Sequence, residues 1–265
     1  MKILRNISFG QYIHYDSLIH NLDPRTKILS CLIIIICLFL ISNFWGYFIL
    51  GILIMISIIV SKVHPKFVFR GLKPILYIII FTLIIHLFMT EGEVIYRWGF
   101  LKITLEGLSK GLFISCRLFI LILSTSLLTL TTAPISLTDG IERLLSVFKF
   151  IGMPAHEIAM MMTIALRFIP TLLEETEKIM KAQISRGADF ESGNLLNRTK
   201  SLIPILVPLF VNAFRRADEL AIAMEAKCYK GGEGRTHYRT LQIKRNDILI
   251  FSVIVITAII TSVMF

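Results

Sequence analysis

Residues 28–61 carry no charged side chain over 34 consecutive positions. As one helix this run would be about 50 Å long, against a hydrocarbon core of roughly 30 Å. It therefore has to turn back, and the polar pair Ser42-Asn43 marks the turn. Two spans result, 28–41 and 44–60, and further apolar spans read as 74–90, 108–130 and 248–265. An apolar share of 55% and a mean hydropathy of +0.75 fit this reading and exclude an ordinary soluble domain. The expected class is an all-α membrane protein with about five transmembrane helices.

Charge tests the division. With the N-terminus inside, residues 1–27, 61–73 and 131–247 face the cytoplasm and hold 24 of the 28 Lys and Arg. The outer loop 91–103 holds only Arg97 and Lys102, beside Glu91 and Glu93. This is the positive-inside bias, and five spans then leave the C-terminus outside. A single span over 28–60 would put both basic regions outside. The net charge of +10 follows from the same bias, so its recipients are the headgroups of the lipid bilayer and not nucleic acid. No cleavable signal peptide is expected, because the first apolar run starts only at Ile28 and no small-residue cleavage site follows a short apolar region. The cysteines Cys31, Cys37, Cys116 and Cys228 form no CxxC and no cluster with His at zinc spacing, so no metal site is expected.

The charged region 131–247 has its own organisation. Residues 138–150 begin with Asp139 near a helix start and read as a short amphipathic helix at the membrane surface. Met153-Pro154-Ala155 then breaks the chain. A long helix follows over 155–186, with Ile158, Met161, Ala165, Phe168, Leu172 and Ile179 on one stripe. A second runs over 197–229, with Leu202, Leu206, Leu209, Ala213, Leu220 and Met224 on its stripe. Pro170 falls inside the first and Pro204 and Pro208 inside the second, so both are expected to bend. The domains read as 1–130 (four spans), 131–247 (a cytoplasmic and interfacial module with two long Pro-bent amphipathic helices) and 248–265 (a last span).

Both long helices stop on a small–basic–small triplet, Ser185-Arg186-Gly187 and Ala226-Lys227-Cys228. A cation in the last turn complements the helix dipole, and a glycine just past the end accepts the left-handed backbone that stops the helix. Those facts alone explain either triplet. A pair of them, on two long helices of one module, also suits docking into a partner.

At these residues the chain resembles the transmembrane T component of energy-coupling factor transporters. The resemblance runs from Gly10-Gln11-Tyr12 and Asp16-Ser17 through His20-Asn21-Leu22-Asp23-Pro24-Arg25-Thr26-Lys27 and Ala165-Leu166-Arg167-Phe168-Ile169-Pro170. It continues through Ala182-Gln183-Ile184-Ser185-Arg186-Gly187-Ala188-Asp189-Phe190, Phe214-Arg215-Arg216-Ala217-Asp218-Glu219-Leu220 and Ala223-Met224-Glu225-Ala226-Lys227-Cys228-Tyr229. It implies a non-catalytic scaffold of an ABC importer in the bacterial cell membrane. Its partners would be two cytosolic ABC-type ATPases, which hold the ATP and Mg, and one or more membrane S components that bind a vitamin or other micronutrient. The chain itself would carry no cofactor. The motifs centred on Arg186 and Lys227 would seat in the two ATPases; Lys227 departs from the family's usual Arg. The apolar positions Met161, Phe168, Leu172, Leu202, Leu206 and Leu209 would face the S component. The long motif form is closer to the shared T component than to a dedicated cobalt, nickel or biotin system, which is the alternative.

An intramembrane enzyme needs ionisable groups that converge at membrane depth. The candidates are His86, Glu106, Lys110 and Arg117, with no Ser–His dyad or HExxH beside them. Glu106 and Lys110, four apart, are expected to pair. Arg117 is expected to reach a neighbouring helix or to snorkel. Gly231 to Thr236 is glycine-rich but lacks the order of a phosphate-binding loop, so no catalytic residue is assigned.

Overall fold

The computed structural model describes residues 12–98, 101–188, 190, 195–232 and 241–264. Eight α-helices run in order: α1 Pro24–Leu40, α2 Phe44–Val60, α3 Pro65–Met89, α4 Leu105–Thr131, α5 Pro134–Leu145, α6 Ala155–Ser185, α7 Leu195–Ala226 and α8 Arg245–Met264. A hairpin of β1 Val94–Trp98 and β2 Leu101–Thr104 sits between α3 and α4, and a 3-10 turn, Ser146–Ile151, follows α5. The chain forms two compact units, one of residues 10–141 with 239–265 and one centred on residues 142–238.

The first unit is a bundle in which α4 packs against α1, α2 and α3, and α8 against α1 and α2. Its core holds Leu38, Ile41, Leu50, Ile54, Leu72 and Leu130. Most other large apolar side chains of these helices are exposed, as expected of a surface that faces lipid and not water. The turn after α1 is where the polar pair Ser42-Asn43 puts it.

Three elements differ from expectation. α3 begins at Pro65, nine residues before the apolar span, because Pro at the first turn favours helix and Lys66, Arg70 and Lys73 ride on its early turns. Pro74 therefore lies inside the helix, where it costs one backbone hydrogen bond. Residues 91–103, expected as the outer loop, hold all of the hairpin but Thr104, with Arg97 opposite Lys102 and Trp98 opposite Leu101. The short amphipathic helix starts at Pro134, not at Thr138, and ends as a tighter 3-10 turn.

By length and composition four helices among the described residues can cross a membrane: α3, α4, α6 and α8. α2 is apolar but shorter, at 17 residues. α6 qualifies because Glu174, Glu175, Glu177, Lys178 and Lys181 cluster in its second half and leave only Glu157 and Arg167 as charges in the first.

Close packing of α3 on α4 depends on two glycines one turn apart. A Cβ at Gly107 would lie 2.6 Å from the carbonyl oxygen of His86, and one at Gly111 would lie 3.4 Å from that of Leu83. Such small-residue faces let helix backbones approach in a bilayer. Gly107→Leu is expected to cost about 2 kcal/mol by overpacking, read as a lower melting midpoint of the purified protein in detergent.

At the other end of the bundle, buried charge ties three segments together. Asp23 caps α1 and accepts from the Arg25 backbone N–H at 2.9 Å and from Arg25 Nη2 at 2.8 Å. The Asp23 N–H in turn donates to Asp247 Oδ1 at 2.7 Å, and the Lys244 N–H donates to Asp247 Oδ2 at 2.7 Å. Lys27 Nζ donates to the carbonyls of His20 and Thr131, at 3.1 and 2.9 Å. The starts of α1 and α8 and the end of α4 are thus held by one polar cluster.

Candidate functional site

The second unit carries both basic triplets. α6 ends with two bonds, Gly187 N–H to the Ile184 carbonyl at 2.9 Å and Ala188 N–H to the Gln183 carbonyl at 3.0 Å. α7 ends the same way, with Cys228 N–H to the Glu225 carbonyl at 2.8 Å and Tyr229 N–H to the Met224 carbonyl at 3.0 Å. Both are Schellman closures, which satisfy the carbonyls of the last turn without any help from the side chain. Arg186 and Lys227 therefore occupy the same position, the last residue before the left-handed one. Both side chains are exposed, and neither has an ion-pair partner among the described residues.

The left-handed residue is Gly187 in α6, with φ +89°, and Cys228 in α7, with φ +54°. A side chain in that conformation costs about 1 kcal/mol. Cys228→Gly is accordingly expected to slow hydrogen exchange at the Tyr229 amide about fivefold, and Gly187→Ala to speed it about fivefold at Ala188. Unchanged rates at both amides would contradict this account of the closures.

α6 and α7 cross antiparallel. Ile164, Phe168 and Leu172 of α6 meet Ala213, Ala217 and Leu220 of α7 around a cavity of about 240 Å³. Beside it the Glu175 carboxylate accepts from Asn212 Nδ2 at 2.6 Å and pairs with Arg216 at 3.4 Å. At the other end of α6, His156 Nδ1 lies 2.8 Å from Glu142 Oε1, and a Cβ at Gly232 would come within 2.7 Å of the His156 ring. The exit of α7 thus rests against the start of α6, and the tips bearing Arg186 and Lys227 lie at opposite ends of the pair.

Of the six apolar positions, Phe168 and Leu172 turn toward α7 and line the crossing. Met161, Leu202 and Leu206 are exposed, and Leu209 is half-buried. The structure does not gather the six onto one face. It adds Ile203, Val207, Phe210, Val211 and Phe214 to the exposed apolar surface of α7. Sequence periodicity found the stripes but not which part of each stripe a neighbouring helix covers. The Glu175–Asn212–Arg216 contact was missed; its signal was Asn212, a buried-type amide within the uncharged stretch 201–214.

The candidate ionisable residues Glu106, Lys110 and Arg117 share no hydrogen bond or ion pair among the described residues. Glu106 Oε2 accepts from the Glu93 N–H at 2.7 Å, because the hairpin folds its backbone over the start of α4. The expected Glu106–Lys110 pair is absent among the described residues. Glycine at position 92 permits this contact, since a Cβ there would collide with the Glu106 carboxylate. Arg117 does reach a neighbouring helix: its Nε donates to Tyr47 Oη at 2.9 Å. It lies eleven residues from Glu106, about 16 Å along α4.

Residues 16–238 match the profile of the family CbiQ, described as cobalt transport protein. The chain is 56% identical over 254 residues to an energy-coupling factor transporter transmembrane protein EcfT of Ruminiclostridium cellulolyticum, covering 96% of this chain and 95% of the relative. A protein of the same name from Thermosediminibacter oceani is 56% identical, with 94% of each chain covered. That of Bacillus subtilis is 49% identical, with 97% and 98% covered.

Proposed function

This chain belongs to the CbiQ family and, with these relatives, to the transmembrane components of energy-coupling factor transporters, and on that premise we propose that it couples two cytosolic ABC-type ATPases to a membrane S component. The reading is carried by the identical closure of α6 and α7, which presents Arg186 and Lys227 at the same helical position with no ion-pair partner among the described residues. Because the Schellman bonds already satisfy the last-turn carbonyls, the two cations are not needed for helix closure and are available to an acidic or carbonyl-lined groove.

In this proposal the module 131–247 faces the cytoplasm, with the N-terminus inside and the C-terminus outside. ATP and Mg bind only in the ATPases. Closure of the ATPase pair draws the two tips together, and the crossed helices turn that displacement into tilt of the exposed apolar faces around Met161, Leu202 and Leu206. An S component resting there would reorient and release its vitamin or other micronutrient inward. The exposed Met161 and Met162 suit a surface that repacks against different partners, which favours the shared over the dedicated form.

Co-purification of the tagged chain from its native membrane tests the proposal. Two ATPases and at least one small membrane protein should accompany it. Recovery of the chain without ATPases would overturn the reading.

A further inference from the structure

The bundle holds a cationic notch that the coupling proposal does not use. α1 and α2 have 17 residues each, about 26 Å of helix, whereas α4 has 27, about 40 Å. α4 therefore continues past the turn between α1 and α2. Ser42, Asn43 and Phe44 at that turn, with Ser109, Lys110 and Phe113 on α4, line an open cavity of about 440 Å³. It lies at the end of the bundle away from Asp23, at the depth where headgroups meet short spans.

One cation lines this notch, and a second lies behind its Phe113 wall. Lys110 lines it and is exposed. Arg117 lies seven residues on, along the same face of α4. Its guanidinium sits 5.9 Å from the Phe113 ring centroid and 5.2 Å from that of Phe39, so Phe113 is shared between Arg117 and the notch. The Arg117 Nε–H goes to Tyr47 Oη, which donates to the Leu38 carbonyl at 3.0 Å. Among the described residues no carboxylate pairs with either cation, since Glu106 is turned to the Glu93 N–H. A guanidinium has five N–H donors, and a cation at membrane depth calls for a counter-charge. The walls supply the rest of a recognition site: a hydroxyl from Ser109, an amide from Asn43, and apolar surface from Phe44, Phe113 and Ile114.

We propose that this notch binds the phosphodiester of an anionic phospholipid headgroup. Lys110 contacts the phosphate oxygens, Arg117 extends past Phe113 to complete the neutralisation, and the apolar wall takes the start of the acyl chains. The apolar half of the wall distinguishes a lipid from free phosphate as the source.

The chain has two tryptophans, and Trp45, 68% exposed beside Phe44, reports on the notch. A Trp98→Phe protein leaves Trp45 as the only indole fluorophore. In vesicles containing brominated phosphatidylglycerol or brominated phosphatidylcholine, quenching of Trp45 gives the relative binding constant of the two lipids. A preference for phosphatidylglycerol of about 25-fold is expected, from two cations at about fivefold each. Lys110→Gln, at an exposed position that folding does not depend on, should reduce it about fivefold; Arg117→Lys, which keeps the charge, should largely retain it. Equal quenching by the two lipids, or a preference untouched by Lys110→Gln, overturns the site. Loss of the preference on adding excess inorganic phosphate assigns the notch to the free ion and overturns the lipid as its occupant.

Discussion

Reversal of both helix-tip charges, Arg186→Glu with Lys227→Glu, is expected to strip the ATPases from the purified chain while the chain itself remains folded. Both side chains are exposed and make no ion pair among the described residues, so the substitutions break no ion pair there. The helix ends stay closed by backbone bonds alone. In the proposed complex each cation is desolvated against its partner, where loss of a hydrogen-bonded charge costs roughly 2–5 kcal/mol. ATPase recovery should therefore fall by about 30-fold or more for Arg186→Glu. The fall should be smaller for Lys227→Glu, because an ammonium lacks the planar fork that grips a carboxylate at two points. Lys227→Arg should strengthen the second contact. Quantified ATPase in pull-downs decides this: full retention by the double variant would reduce both residues to charge complements of a helix dipole.

The second large effect lies in the membrane bundle. Asp247 is 1% exposed and accepts two backbone N–H groups, those of Asp23 and Lys244. Asp247→Ala leaves both donors unpaired and removes negative charge beside Arg25 and Lys27. At about 1–3 kcal/mol for each orphaned donor, the expected loss is about 4 kcal/mol, or a melting midpoint lowered by roughly 10 °C. Asp247→Asn, which keeps one acceptor oxygen, should lose about half as much. A melt of either variant indistinguishable from wild type would refute the role assigned to the cluster. The same cluster sets a pH dependence. Burial pushes the Asp23 carboxyl up, but its hydrogen bonds to the Arg25 side chain and backbone, with the charges of Arg25 and Lys27, hold it below the usual carboxylate value. Its stabilisation is present above the unfolded value of about 4 and is lost as pH falls through the lower folded one. The midpoint should be insensitive to pH at that site near neutrality and drop in strong acid.

What the sequence could and could not disclose follows from range. The ends of α6 and α7 were legible because Gly187, and the glycines after Cys228, are local signals that act within one turn. The fold-back at Ser42-Asn43 was legible because a bilayer limits span length. The start of α3 was not, since helix and span are different lengths and only the apolar part advertises itself. The hairpin escaped notice because strand pairing depends on a partner, and Leu101–Thr104 is too short to show an alternation. The partners of Arg117 and Glu175 were hidden for the same reason: Tyr47 and Asn212 lie 70 and 37 residues away. Phe168 and Leu172 were placed on an apolar stripe, yet periodicity cannot tell a surface kept free from one covered by the next helix.

The pairing of α6 and α7 has a mechanical consequence. Contact runs from His156 beside Gly232, through Ile164, Phe168 and Leu172 against Ala213, Ala217 and Leu220, to Glu175 beside Asn212 and Arg216. That is 19 residues along α6, about 29 Å. Helices joined over such a length share no single pivot, and tilting one carries the other with it. The paired stretch is a stiff strut. Bending is left to the segments beyond it, among them the part of α7 that holds Pro204 and Pro208.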